Sequence, residues 1–195
     1  MNKVITAGEV RTRLSLMDDE GVNAAISSAI GAALVHTESL LQTNLQAGTA
    51  EDIFFIDPLV DSAVRGTYLL RLSNGFVKQA GMTLRSAATL SDMQAASDAV
   101  AAFVVMEERG FISVDESLSG SFLKVNYSFG FGDSDDAPAW LKDVVLSYTA
   151  KVLSSQQIAD GKPELSNIFS FLDRHGSAVL DRHLRSHSDS ILPIG

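Results

Sequence analysis

The chain has 195 residues, of which 46% are hydrophobic and 20% charged, typical of a globular protein with a substantial core. The absence of cysteine excludes disulfides, zinc–thiolate sites and a cysteine nucleophile. The formal net charge of −9 lies mainly in the middle: residues 51–136 carry six basic and thirteen acidic groups, and residues 137–195 carry six of each. An acidic surface repels phosphate, so ordinary nucleic-acid binding is not expected.

Helical signals open the chain. Thr6 and Glu9 have the spacing of a capping box, which predicts a short helix through about Leu14. An acidic cluster at 18–20 suits the start of a helix, and apolar residues then recur three and four apart over 22–45, which predicts a long amphipathic helix. Polar residues interrupt this run, so we expect neither a membrane span nor, from the first residues, a signal peptide.

Strand signals dominate the middle. The segments 53–56, 68–72, 76–77, 82–84, 103–106 and 111–114 have the character of short strands, and residues 90–100 have the spacing of a short helix. The next strand, 122–129, alternates apolar and mainly polar residues and runs into a glycine-rich acidic turn. Pro138 then suits the first turn of a helix. This strand, turn and helix return the chain to a helical layer and contain no group suited to catalysis.

Together these signals predict an α+β fold that is mainly a helical bundle with an inserted small antiparallel β domain. The N-terminal helices of the bundle occupy residues 1–48, the β-rich insertion 49–133 and the packing helix 134–160. A helical and extended C-terminal tail occupies 161–195.

The order of elements resembles the head–tail connector proteins of tailed bacteriophages, also called adaptor or head-completion proteins. The resemblance covers roughly residues 4–46 and 122–156: the capped helix ending at Leu14, the acidic cluster and long helix, the strand and turn over 125–132, Pro138 and the final helix over 141–152. It implies a virion protein of the neck, made in the host cytoplasm, with no enzymatic activity and no cofactor. It also implies a ring of twelve copies that joins the portal to the tail or the next neck protein. Double-stranded DNA would pass through the ring without specific binding, and an acidic wall suits that passage.

Two surfaces are candidates for protein contacts. Small residues on the long helix predict a contact with a neighbouring subunit, although a simple core helix is the alternative: Ala24, Ser28, Gly31 and Ala32. Under the resemblance, a C-terminal extension grips the portal, and apolar side chains in this chain's tail suit a groove on a partner. The alternative is a surface helix with a loose end. The tail residues are Phe169, Phe171, Leu172, Ile191, Leu192 and Ile194.

Other functions stay open at this point. The chain is alternatively a tail terminator or another neck protein, or a small metal- or ligand-binding α+β domain. His183 and His187 are four residues apart but supply only half of a tetrahedral site. Glu107 and Glu108 are adjacent, and neighbouring strand residues point to opposite faces, which argues against a shared acid–base site. We therefore predict no catalytic, cofactor-binding or metal-binding residue.

Overall fold

The computed structural model describes residues 4–16, 20–59, 61, 63, 65–95, 97–132, 136–159, 178, 179 and 181. Within them the elements in chain order are α1 (Ala7–Leu14), α2 (Glu20–Leu41), β1 (Gly48–Phe55), β2 (Thr67–Arg71), β3 (Val77–Ala87), α3 (Leu90–Ala95), β4 (Asp98–Ala99), β5 (Phe103–Met106), β6 (Phe111–Asp115), β7 (Phe122–Phe129) and α4 (Ala139–Ala159). They form two compact units. We call the one within Met1–Gln46 and Phe131–Gly195 the helical unit and the other, Ala47–Gly130, the β unit.

The predicted capping box begins α1. The Thr6 hydroxyl accepts a hydrogen bond from the Glu9 amide at 3.1 Å, and the Glu9 carboxylate accepts one from the Thr6 amide at 2.7 Å. Two ion pairs then join α1 to α4. Lys142 Nζ lies 3.2 Å from Glu9 Oε1, and Arg13 Nη1 lies 2.7 Å from Asp143 Oδ1.

The long helix α2 packs along α4. One face of α2 is buried, and it consists of Ile26, Ala29, Ile30, Ala33 and Thr37. The buried side chains of α4 include Leu141, Val144 and Val145. The helix ends at Leu41 and not at Leu45 as the apolar spacing predicts. Gln42 adopts a positive φ of 51°, and the Glu38 carboxylate accepts a hydrogen bond from the Leu45 amide at 2.9 Å. Leu45 is apolar because it is buried, but it is buried from the loop after α2, so its place in the apolar spacing did not mean that it is helical.

The β unit consists of two antiparallel sheets with strand orders β1-β7-β3-β4 and β2-β6-β5. Alternation along the strands sends one row of side chains into a shared core, which includes Tyr68, Leu70, Ile112, Val114, Leu123, Val125 and Tyr127. The segments 76–77 and 82–84 belong mostly to one strand, β3, whose register against β7 shifts between Lys78 and Thr83. Gly81 lies in this bulge with a φ of +81°.

The α+β class is confirmed, but the prediction that the fold is mainly a helical bundle is wrong. The middle of the chain is two sheets with a core of their own, in which Ile112, Leu123 and Val125 are fully buried. A short strand that buries one face contributes few core residues by itself. Only the pairing of the strands shows that together they form a core as extensive as that of a separate unit. The tail predicted over 161–195 lies outside the described residues except at 178, 179 and 181.

Candidate assembly surfaces

The small residues of α2 lie opposite its buried face. Ala24, Ser28 and Ala32 are exposed and Gly31 is half-buried, while Ile26, Ile30 and Ala33 on the other side are buried. The two sets alternate because side chains three or four residues apart share one face of a helix. The helix therefore packs through one face in its own unit and leaves the small-residue face uncovered, an arrangement that allows both uses considered from the sequence.

This uncovered face is smooth and uncharged. A methyl group added at Gly31 would meet no atom within 4 Å. Val35, one turn beyond, is 68% exposed and extends the face with an aliphatic side chain. No charged residue lies on α2 between Glu20 and Glu38. The sequence-based prediction of this face omitted Val35, although its spacing of three, four and seven residues from Ala32, Gly31 and Ser28 places it there.

An aromatic contact joins α2 to α4. The rings of His36 and Tyr148 meet edge to face, with centroids 4.5 Å apart and planes at 81°. Nearby, Glu9 sustains the α1–α4 junction as a carboxylate. Burial disfavours its charged form, but hydrogen bonds from Thr6 and the Lys142 ammonium outweigh that effect and hold the pKa of Glu9 below its ordinary value. Neither the His36–Tyr148 contact nor the α1–α4 junction involves a residue of the small-residue face.

A polar network joins β1 and β7 to the loop between β2 and β3. The Tyr127 hydroxyl donates to Asp52 Oδ2 at 2.8 Å and accepts from Asn74 Nδ2 at 3.3 Å. The same Asp52 carboxylate accepts from the Ser73 amide at 2.7 Å and the Ser73 hydroxyl at 2.6 Å. Burial raises the pKa of Tyr127, and the Asp52 charge adds to the rise, so this hydroxyl remains a donor. Asp52, Asn74 and Tyr127 are far apart in sequence, and no sequence motif predicts that they form this network.

In the described part of the chain, the side chains considered for catalysis or metal binding do not form a common site. Glu107 and Glu108 lie in a 3₁₀ turn, Glu107–Arg109, and not in a strand as the sequence predicted. The Glu107 carboxylate accepts a hydrogen bond from the Gln79 amide at 2.9 Å. Among the described residues, no three His, Asp or Glu side chains are placed to hold a metal ion. His183 and His187 lie outside those residues, as do the six apolar residues predicted to contact a portal.

By length and apolar composition, α2 is the one described helix that meets the criterion for a membrane span. The core helix of a folded domain meets the same criterion. Only 28% of the apolar stretch of α2 is buried, so packing within its own unit accounts for one part of the apolar composition and the uncovered small-residue face for another.

No protein-family model and no curated protein matches the sequence. Three solved structures are similar in fold. "Neck of empty GTA particle computed with C6 symmetry" has 17% identity and a TM-score of 0.46 over 78% of both chains. "Virion of native gene transfer agent (GTA) particle" has 16% identity and a TM-score of 0.48 over 78% of both chains. "Neck of native GTA particle computed with C12 symmetry" has 19% identity and a TM-score of 0.41 over 78% of this chain and 82% of that one.

All three structures are of gene transfer agent particles, and two are of the neck.

Proposed function

We propose that this chain is a structural protein of a phage neck and, within that role, a head–tail connector that assembles into a ring. The order of elements supports the proposal. A capped α1 precedes the long α2, a β excursion follows, and β7 leads through Pro138 into α4. That is the order on which the connector resemblance rests, and it is now seen as packed structure. The chain acts by burying interface area, and no catalytic step is assigned to it.

The uncovered face of α2 carries the proposal. Its central residues Ser28, Gly31 and Ala32 have short side chains, so another backbone can approach closely and little side-chain entropy is lost on contact. No charge has to be desolvated there, which removes the main penalty of burying a surface. Val35, 68% exposed, provides an apolar anchor at one end. A face of this kind suits contact with a neighbouring copy, which is the contact that a ring requires.

The finer features of the role follow the connector resemblance. A ring of twelve copies would bind the portal on one side and the tail or next neck protein on the other, and the apolar tail residues would grip the portal. The β unit carries ten acidic and six basic side chains, so it has the same sign of charge as DNA. Like charge lets DNA pass a wall without adhering to it.

Two exposed serines of the helical unit offer a matched test of the subunit contact. Ser28 lies in the small-residue face of α2, whereas Ser155 lies on α4. Ser28→Arg places a long charged side chain in the proposed contact, and Ser155→Arg makes the same change away from that face. We expect light scattering of the chain mixed with its portal protein to show a full complement of Ser155→Arg copies and a reduced number of Ser28→Arg copies. Equal loading of the two variants would contradict the assignment.

The tail contact has a separate test. Removing residues 187–195 leaves every described helix and strand intact, so we expect unchanged circular dichroism and weakened binding to the portal. Unchanged portal binding would refute the grip by the tail and leave the α2 contact standing.

A further inference from the structure

The outer edge of β1 is an open strand edge. Among the residues that the structure describes, β1 pairs with β7 on one side and with no strand on the other. All eight residues of β1 are in continuous register with β7, and the strand has no bulge, proline or lysine, which are among the features that prevent another strand from adding to an edge. Charged residues are a further such feature, but both in β1 already have partners: Lys124 for Glu51, and Ser73 and Tyr127 for Asp52. The main-chain N–H and C=O groups that point away from β7 are therefore arranged to receive a strand.

The last three residues of β1 are apolar and cover both faces of the strand. Ile53 and Phe55 point outward and are 48% and 47% exposed, and Phe55 continues onto β7 through ring contact with Phe122 at 4.8 Å between centroids. Phe54 points inward yet is only half-buried, whereas Leu123, its partner on β7, is fully buried. The core of the β unit thus reaches solvent along this edge. A strand that paired with β1 would cover apolar surface on both sides of the sheet.

The charges of β1 select the occupant. In the full-length antiparallel pairing of two β1 strands from two copies, Glu51 of each copy would lie opposite Asp52 of the other. Directly opposed like charges destabilise a sheet. Three of the other edge strands are shorter than β1, with five residues in β2, four in β5 and two in β4, against eight in β1. The edge of β3, which β4 covers only at Arg85 and Ser86, is interrupted by the bulge between Lys78 and Thr83. A second copy therefore fits this edge poorly.

We propose that the β1 edge binds an extended segment of a different protein chain by strand addition. The segment pairs antiparallel, is apolar opposite Ile53–Phe55, and carries neutral or basic residues opposite Asp52 and Glu51. Main-chain hydrogen bonds supply affinity, and the alternating side chains supply selectivity. Glu51 already has Lys124 Nζ near its carboxylate at 2.6 Å but remains exposed enough to meet a second cation. The inference does not depend on the neck assignment.

A short peptide tests the chemistry without knowledge of the natural partner. The probe is an acetylated and amidated octapeptide, Val-Ile-Val-Thr-Lys-Val-Thr-Val, whose first three residues would face Phe55, Phe54 and Ile53. We expect it to slow amide hydrogen exchange within residues 48–55 of the intact protein. A peptide with glutamate in place of lysine should bind about five-fold more weakly, because it opposes Glu51 with a like charge. A peptide methylated on the alternate backbone nitrogens whose N–H groups would point toward β1 should not bind.

Two protein variants locate the contact. Ile53→Lys places a charge on the proposed edge, and Leu69→Lys makes the same change at a 49% exposed residue of β2. We expect Ile53→Lys to abolish the peptide-induced protection and Leu69→Lys to retain it, with Ile53→Thr as a milder variant if the lysine disturbs folding. The proposal is overturned if peptide at millimolar concentration gives no protection. It is equally overturned if N-methylation has no effect, if protection falls on β2 or β5, or if the wild type alone forms dimers that Ile53→Lys dissolves.

Discussion

Tyr127→Phe probes the polar network that joins β1 and β7 to the loop between β2 and β3. The substitution removes one hydroxyl and keeps a ring that is 3% exposed and lies 6.2 Å from the Phe129 ring, so packing is preserved. The lost bond to Asp52, 2.8 Å long, has a charged acceptor, and such bonds contribute roughly 1.5–3 kcal/mol. Asp52 is half-buried and keeps both bonds from Ser73, but the 3.3 Å bond from the buried Asn74 Nδ2 to the hydroxyl is lost as well. We therefore expect a loss of about 2 kcal/mol.

Native-state hydrogen exchange measures this loss where it arises. The amides shared by β1 and β7 report the free energy of opening the β unit, and we expect that value to fall. Tyr148→Phe is the matched control, because its ring contact with His36 in the helical unit is retained. We expect the control to change stability by less than about 0.5 kcal/mol. A loss in Tyr127→Phe no larger than in Tyr148→Phe would refute the stabilising role of the network.

Two further perturbations have clear directions. Gly110→Ala should destabilise the fold by more than about 3 kcal/mol, because φ is +65° and the new methyl carbon would lie 2.1 Å from the Asn74 carbonyl oxygen. Gly120→Ala, with a φ of +75° and open space around it, should lower the free energy of unfolding by only about 1 kcal/mol. Urea titration of both variants measures the two losses, and equal losses would contradict the role of the Asn74 contact. The Glu9 carboxylate, whose pKa lies below 4.5, stabilises the fold above that value, and the stabilisation is lost as the pH falls through the lowered pKa. In Glu9→Gln, the melting temperature followed by Trp140 fluorescence should therefore depend less on pH in the acid range. An unchanged pH dependence would contradict the stabilising role of the Glu9 carboxylate.

Several elements were predictable because their signals are local. The capping box at Thr6, the long α2 and the proline-started α4 each follow from neighbouring residues. The hairpin of β5 and β6 also follows from two apolar runs separated by a turn. The end of α2 was not predictable in the same way, since buried Leu45 keeps the helical spacing although it lies in a loop.

The remainder depended on contacts between distant residues. Strand order in the β unit joins β1 to β7 across the whole unit, and no local pattern encodes that pairing. The same is true of the Asp52–Tyr127 bond, which spans 75 residues. For α2, spacing separated the two faces, but only the packing against α4 showed which one is covered. The predicted contact at Ala24, Ser28, Gly31 and Ala32, the ring and the portal grip stay predictions.

Electron microscopy of the chain bound to its portal tests the central claim most directly. We predict a closed ring of density against the portal, with the small-residue face of α2 at the contact between neighbouring copies. A ring whose copies meet elsewhere would contradict the assignment of that face. Single copies scattered on the portal, or no density on it, would contradict the connector function itself.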